Sequence, residues 1–238
     1  AFDKPIAESN CIGCGQCAAV CPTGAIVVKS DVTQVWRELD DKNTHVTAQI
    51  APAVRVAIGK ELGIAEGENA MGRIVAVLRR MGFDEVFDTS TGADLTVLEE
   101  SKELLSRLES GENLPLFTSC CPAWINYCEK NHPELLPHIS TCRSPMQMFA
   151  SVIKEQCRPD GKRSVHVAVM PCTAKKGEAA RKEFQKDGQP LVNYVITTQE
   201  LIVMIKESGL IFREIEPEAV DMPFGTMTGA GVIFGVSG

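Results

Sequence analysis

The chain has 238 residues, is 44% hydrophobic and 23% charged, and carries a net charge of −7. This is room for one large domain or two small ones with a real core, in an ordinary soluble globular composition. No Lys/Arg block and no apolar run near the ~20 residues of a membrane span is present, which argues against nucleic acid, an anionic lipid surface and a membrane segment.

Nothing at the N-terminus reads as a signal peptide or twin-arginine leader. Ala1 stands where Met would, as removal of a leader or an upstream domain would leave it. Ten cysteines is a high count. Four lie between Cys11 and Cys21 at metal-ligand spacing and two more are adjacent, and neither pattern is a disulfide framework. Thiolate-bound metal in a reducing compartment follows. A cytoplasmic location is expected, or a periplasmic one if a leader was removed.

Cys11, Cys14, Cys17 and Cys21, followed by Pro22, form C-x2-C-x2-C-x3-C-P, the ferredoxin run that holds a 4Fe–4S cluster. Gly13 and Gly15 allow the backbone to approach cluster sulfur closely. In two-cluster folds the fourth cysteine of each run serves the other cluster. A single run therefore implies either a second run upstream or a run closed on one cluster.

Residues 31–44 tend to helix, with Val32, Val35, Trp36 and Leu39 on one face, and a domain boundary is expected near residue 40. His45–Ile50 alternates as a strand, and Ala51-Pro52-Ala53 ends it. Val54–Leu62 reads as a helix. Ala70–Met81 reads as an amphipathic helix with Met71, Ile74, Val75, Leu78 and Met81 toward the core. Asp84–Asp88 is a short strand, and Ala93–Leu108 a helix closed by Gly111. On that helix Glu100, Glu103 and Arg107 share a face. Spacing alone makes them a solvated surface with a Glu103–Arg107 pair.

Leu114–Phe117 reads as a short buried strand leading into Thr118-Ser119-Cys120-Cys121-Pro122-Ala123-Trp124. Adjacent side chains at a strand end point in different directions, so one thiol could bind metal while the other faces substrate. The alternative is a pair of buried core thiols. A helical segment to His138 follows, interrupted by Pro133 and Pro137; Ser140–Pro145 then reads as a turn or N-cap region, followed by a helix to about Gln156. Cys128, Cys142 and Cys157 read as structural or free thiols, and His132 and His138 as surface residues. Residues 158–163 form a turn expected to join a second lobe.

Ser164–Met170 reads as a strand with Pro171-Cys172 at its end, and Thr173 opens a helix. A thiolate at a helix start is favoured by the dipole and free N–H groups. Val192–Thr197 is a strand and Thr198–Glu207 a helix. The glycine-rich run Gly225–Gly231 matches no nucleotide-binding motif. Alternating strands and helices imply mainly parallel sheets with ligands at strand carboxyl ends.

Thr118–Trp124 and Met170-Pro171-Cys172-Thr173-Ala174-Lys175-Lys176-Gly177-Glu178 resemble the first two signature motifs of iron-only (FeFe) hydrogenases, with the ferredoxin-type run in the expected place. The resemblance implies a ferredoxin-like cluster domain (1–40, incomplete upstream) and two α/β lobes (41–160, and 161–238 incomplete) around a buried metal site. It implies 4Fe–4S clusters and an H-cluster, a 4Fe–4S cubane joined to a two-iron site with CO, cyanide and a bridging dithiolate. Cys121 and Cys172 would ligate the cubane and Cys120 would donate protons. Lys175 would hydrogen-bond a cyanide ligand. Met170, Pro171, Pro52 and Ala53 would line the two-iron site, with Ala53 where the family often carries Ser. Glu178 would brace the motif helix. Glu100, Glu103 and Ser140, supported by Arg107, would form the proton path.

The third motif of the family, a C-x3-C pair completing the cubane, is expected beyond Gly238. The chain is thus expected to be one portion of a longer subunit, with the missing remainder of that subunit as a partner. The implied activity is reversible H2 oxidation and proton reduction. H2 and protons are the substrates, and electrons come from ferredoxin or an NAD(P)- or flavin-linked redox subunit. The alternative is a non-catalytic or sensory hydrogenase-like iron–sulfur protein, and a blander one is an electron-transfer subunit using only the Cys11–Cys21 run.

Overall fold

The computed structural model describes Asp3, residues 5–157 and residues 161–222. The glycine-rich run expected at Gly225–Gly231 and part of the 158–163 turn lie outside those residues. In chain order the elements are α1 (Gln16–Val20), α2 (Val32–Asp40), β1 (Thr44–Ile50), α3 (Val54–Ala57), α4 (Met71–Met81), β2 (Glu85–Asp88), α5 (Ser90–Ser110), α6 (Pro122–Asn131), α7 (Pro145–Gln156), β3 (Arg163–Met170), α8 (Ala174–Ala179), the small antiparallel pair β4 (Gln185–Lys186) and β5 (Gln189–Pro190), β6 (Tyr194–Thr197) and α9 (Thr198–Glu207).

β1 and the last six residues of β3 are buried almost throughout, as strands covered on both faces must be. They form the middle of a four-stranded sheet of order β2-β1-β3-β6, parallel at every pairing. Helices cover both faces because parallel neighbours need crossovers. The division expected between residues 160 and 161 does not separate two sheets. β1 and β3 pair from Thr44↔Arg163 to Ile50↔Val169, so the stretches on either side of that turn share one sheet and one core.

Two further expectations need correction. Leu114–Phe117 is not a strand: the residues there make only a single parallel bridge, Phe117↔Ile139. Val54–Leu62 is not one helix but α3 followed by a separate 3-10 turn at Lys60–Leu62. α4 buries more than the expected stripe, since Ala76 and Val77 are fully covered as well. The segment around Pro217 and Glu218 packs over Gly72 at its start, which explains the extra coverage.

α5 and α7 lie close together because Gly92 presents no side chain. A Cβ there would meet the Pro145 carbonyl oxygen at 2.3 Å. The approach seats Phe87 edge-on against Phe149, with ring centroids 5.8 Å apart.

A polar network is buried inside this apolar frame. The Gln49 side-chain amide donates to the Met146 carbonyl at 3.0 Å and to His166 Nε2 at 2.9 Å, while its oxygen accepts from Thr89 Oγ1 at 3.1 Å. His166 Nε2 must therefore be the acceptor. The ring proton sits on Nδ1, facing Thr47 Oγ1 at 2.7 Å. Burial pushes the imidazole down to about 3 from its usual 6.5. A second ring proton would also point at the Gln49 amide donor.

Only the unfolded chain takes up this proton between the two values, so stability is full above 6.5 and declines as pH falls toward 3. The urea midpoint is expected to drop between about pH 7 and about pH 5, and the drop to shrink in His166→Gln. Equal pH dependence in both proteins would contradict the assignment.

Candidate functional site

The carboxyl ends of the parallel strands converge on one cavity of about 470 Å3. β1 delivers Ala51 and Pro52, β2 delivers Thr89, and β3 delivers Met170, Pro171 and Cys172. This is where an open parallel sheet leaves room for a ligand. The loop ahead of α6 adds Thr118, Cys120 and Cys121, and α5 adds Thr96 and Glu100. Cys121 and Cys172, remote in sequence, thus line the same space. Ala53, expected in the lining, starts α3 and does not line the cavity.

Lys175 ties the two cysteine turns together. Its ammonium donates to the Cys120 carbonyl at 2.8 Å and to Glu178 at 2.7 Å. Glu178 is buried, so the pair is largely removed from water. Burial raises the Cys120 thiol above its usual value, against a hydrogen bond with Thr118 and the positive charge of Lys175, and so favours its protonated form.

The face of α5 read as solvated on spacing alone is partly enclosed. Glu103 accepts from Ser140 Oγ at 2.7 Å, from the Thr141 amide at 3.1 Å and from Arg107 at 2.5 Å. Burial opposes its charge, but these donors outweigh it and hold the carboxyl below the usual range. Arg107 also donates to the carbonyls of Asn113, Pro137 and Ile139, which fixes the far side of the pair. The Phe117↔Ile139 bridge sets Ser140 in place, because the Ser140 amide donates to the Phe117 carbonyl at 2.7 Å. One turn toward the cavity, a buried oxygen of Glu100 has no hydrogen-bond partner among the described residues. Cys142, read from sequence as a bystander, donates its thiol toward Glu103 at 3.8 Å. Thr96, one turn before Glu100, and Thr118 were also missed. Their helical and sequential spacing to Glu100 and Cys120 was the only available signal.

The ferredoxin-type run lies on the surface, with Cys11, Cys14 and Cys17 exposed and Cys21 half-buried. Hydrogen bonding from the Thr23 hydroxyl and the Ile26 and Thr23 amides lowers the Cys21 thiol to about 7. Among the described residues no three His, Cys, Asp or Glu side chains converge as an ion site. The donors suit an iron–sulfur group. Two thiolate carriers, Cys121 and Cys172, share the cavity with Lys175, a cation suited to an anionic ligand.

Residues 44–238 match the family described as iron-only hydrogenase large subunit, C-terminal domain, and residues 4–27 match the 4Fe-4S binding domain. The chain is 44% identical to the NADP-reducing hydrogenase subunit HndD of Solidesulfovibrio fructosivorans, over all of this chain and 42% of that protein. It is 34% identical to the cytosolic Fe-S cluster assembly factor narfl of Danio rerio, over 77% of this chain and 47% of that protein. The structure superposes on an apo [FeFe]-hydrogenase HydA1 variant from Chlamydomonas reinhardtii with a TM-score of 0.75 and 43% identity, covering 85% of this chain and 53% of the other. The chain spans about half the length of these relatives or less. No helix among the described residues is long and apolar enough to cross a membrane.

Lys175→Met should leave Glu178 buried without its cation and cost about 3 kcal/mol, seen as a lower urea midpoint. Lys175→Met combined with Glu178→Met should recover most of that loss. A single variant as stable as the parent would contradict the buried pair.

Proposed function

The chain belongs to the iron-only hydrogenase large-subunit family, and we propose that it carries the proton-handling half of a site for reversible interconversion of protons, electrons and H2. The observation that carries this reading is the meeting of Cys120, Cys121, Cys172, Glu100 and Lys175 in one cavity. An H-cluster bound there supplies the redox chemistry of H2. Cys121 and Cys172 are its thiolate ligands on this chain, and Met170, Pro171 and Pro52 close the wall around it. Cys11, Cys14, Cys17 and Cys21 would serve as thiolate ligands of 4Fe–4S chemistry, which would supply electron transfer. The name of the relative HndD supports an NADP-linked redox partner. Ferredoxin or a flavin-linked subunit is the other partner that the family resemblance implies.

Cys120 holds a proton because its thiol is raised by burial, and it delivers that proton into the cavity. Glu100, with an unpartnered buried oxygen, is the next acceptor outward. The Glu103–Ser140 pair continues the path toward the surface, and hydrogen bonds from Ser140, Thr141 and Arg107 hold Glu103 as a carboxylate. Lys175, whose charge Glu178 balances, would hydrogen-bond an anionic ligand of a group held in the cavity.

The assembly-factor relatives support a second reading, in which the chain holds iron–sulfur clusters without turning over H2. That reading gives Cys120 no task. In the full-length, iron-loaded protein, Cys120→Ala should keep its iron content and its infrared CO and cyanide bands while losing about 100-fold in H2 evolution. Glu103→Gln should slow evolution by about tenfold with iron content unchanged. CO and cyanide bands absent from the unmodified protein, or full activity in Cys120→Ala, would count against the catalytic reading.

A further inference from the structure

The ferredoxin-type run meets the rest of the protein through its backbone rather than through a core. α1 buries no residue, and Ile6, Val20 and Val27 are exposed. Three side chains from beyond the run capture its carbonyls instead. Lys130 donates to Ser9 at 2.8 Å and to Cys11 at 2.7 Å, Asn126 donates to Ile12 at 2.9 Å, and Thr173 Oγ1 donates to Gly13 at 2.8 Å. The Asn126 amide is oriented by Arg181, which donates to its oxygen at 2.7 Å and is itself anchored on Glu129. Thr173 directly follows Cys172. Gly15 closes over it so tightly that a Cβ there would stand 2.6 Å from Thr173 Oγ1. Lys130 and Asn126 belong to the helix that begins at Cys121–Pro122. The capture therefore ties the run to both elements that carry cavity cysteines.

We propose that Asn126, Lys130 and Thr173 are positioning residues, a clamp that fixes the ferredoxin-type run against the Cys172 turn and so sets the separation between the two iron–sulfur groups. Electron transfer slows steeply as such a separation grows, so the clamp governs how fast electrons reach the cavity. The inference rests on the proposed function for its kinetic consequence, while the geometric part stands on the contacts alone.

The test uses the full-length, iron-loaded protein and the variants Asn126→Leu, Lys130→Met and Thr173→Val. Electron paramagnetic resonance of the reduced protein reads the magnetic interaction between the two 4Fe–4S groups. Asn126→Leu and Lys130→Met together should weaken it and speed amide exchange over residues 9–17. The same pair should slow H2 evolution driven by a reduced electron carrier about tenfold, yet leave H2/D2 exchange, which needs no electron delivery, within about twofold. Thr173→Val should weaken the interaction by itself, and Lys130→Arg should preserve it. Unchanged magnetic interaction and unchanged amide exchange in the double variant would overturn the clamp. Absence of H2/D2 exchange from the unmodified protein would overturn the catalytic reading alone, since the magnetic and amide measurements still decide the clamp.

Discussion

The ammonium of Lys175 is the joint on which the site depends. It reaches from the turn after β3 to the backbone of the Cys120 loop, and Glu178 neutralises it within the same turn of helix. Neither cysteine turn is part of the sheet hydrogen bonding, so their mutual placement needs a bond of its own. An ion pair sealed from water supplies it with a fixed geometry that apolar packing would not give. The same charge faces the cavity, so one side chain both holds the two turns together and conditions the space between them.

Around that joint the electrostatics run in opposite directions over a short distance. Burial keeps the Cys120 thiol protonated, whereas Arg107, Ser140 and the Thr141 amide keep Glu103 ionised. Glu100 sits between them with an unpartnered oxygen. Cys142, a thiol beside Glu103, leaves the outer end more enclosed than the spacing on α5 implied.

Much of this was legible in the chain because it was local. Thr198–Glu207 is a helix at the expected residues, as its Thr197–Glu200 capping box requires. The cysteine run carries its ligand spacing in its own sequence. Contacts that cross the chain were not legible. By spacing alone Glu103 reads as exposed; the family resemblance joined it to Ser140, and the Phe117↔Ile139 bridge is what brings the two together. Thr47, Gln49 and His166 are polar residues at strand positions, and only the β1–β3 register shows that they satisfy one another. The β1–β3 pairing across the expected division near residue 160 was not legible for the same reason. A turn and a change of composition mark where the chain bends, but not which strand lies beside which.

The β1–β3 pairing also orders events during biosynthesis. Ile50 lies opposite Val169, so the middle of the sheet closes late, after a long intervening stretch has been made. Cys121 lies inside that stretch and Cys172 just beyond it. The two thiols acquire a common pocket only when the sheet is zipped. In small zinc modules the ion gathers a floppy chain. Here the strand register, not an ion, brings the two thiols to one space.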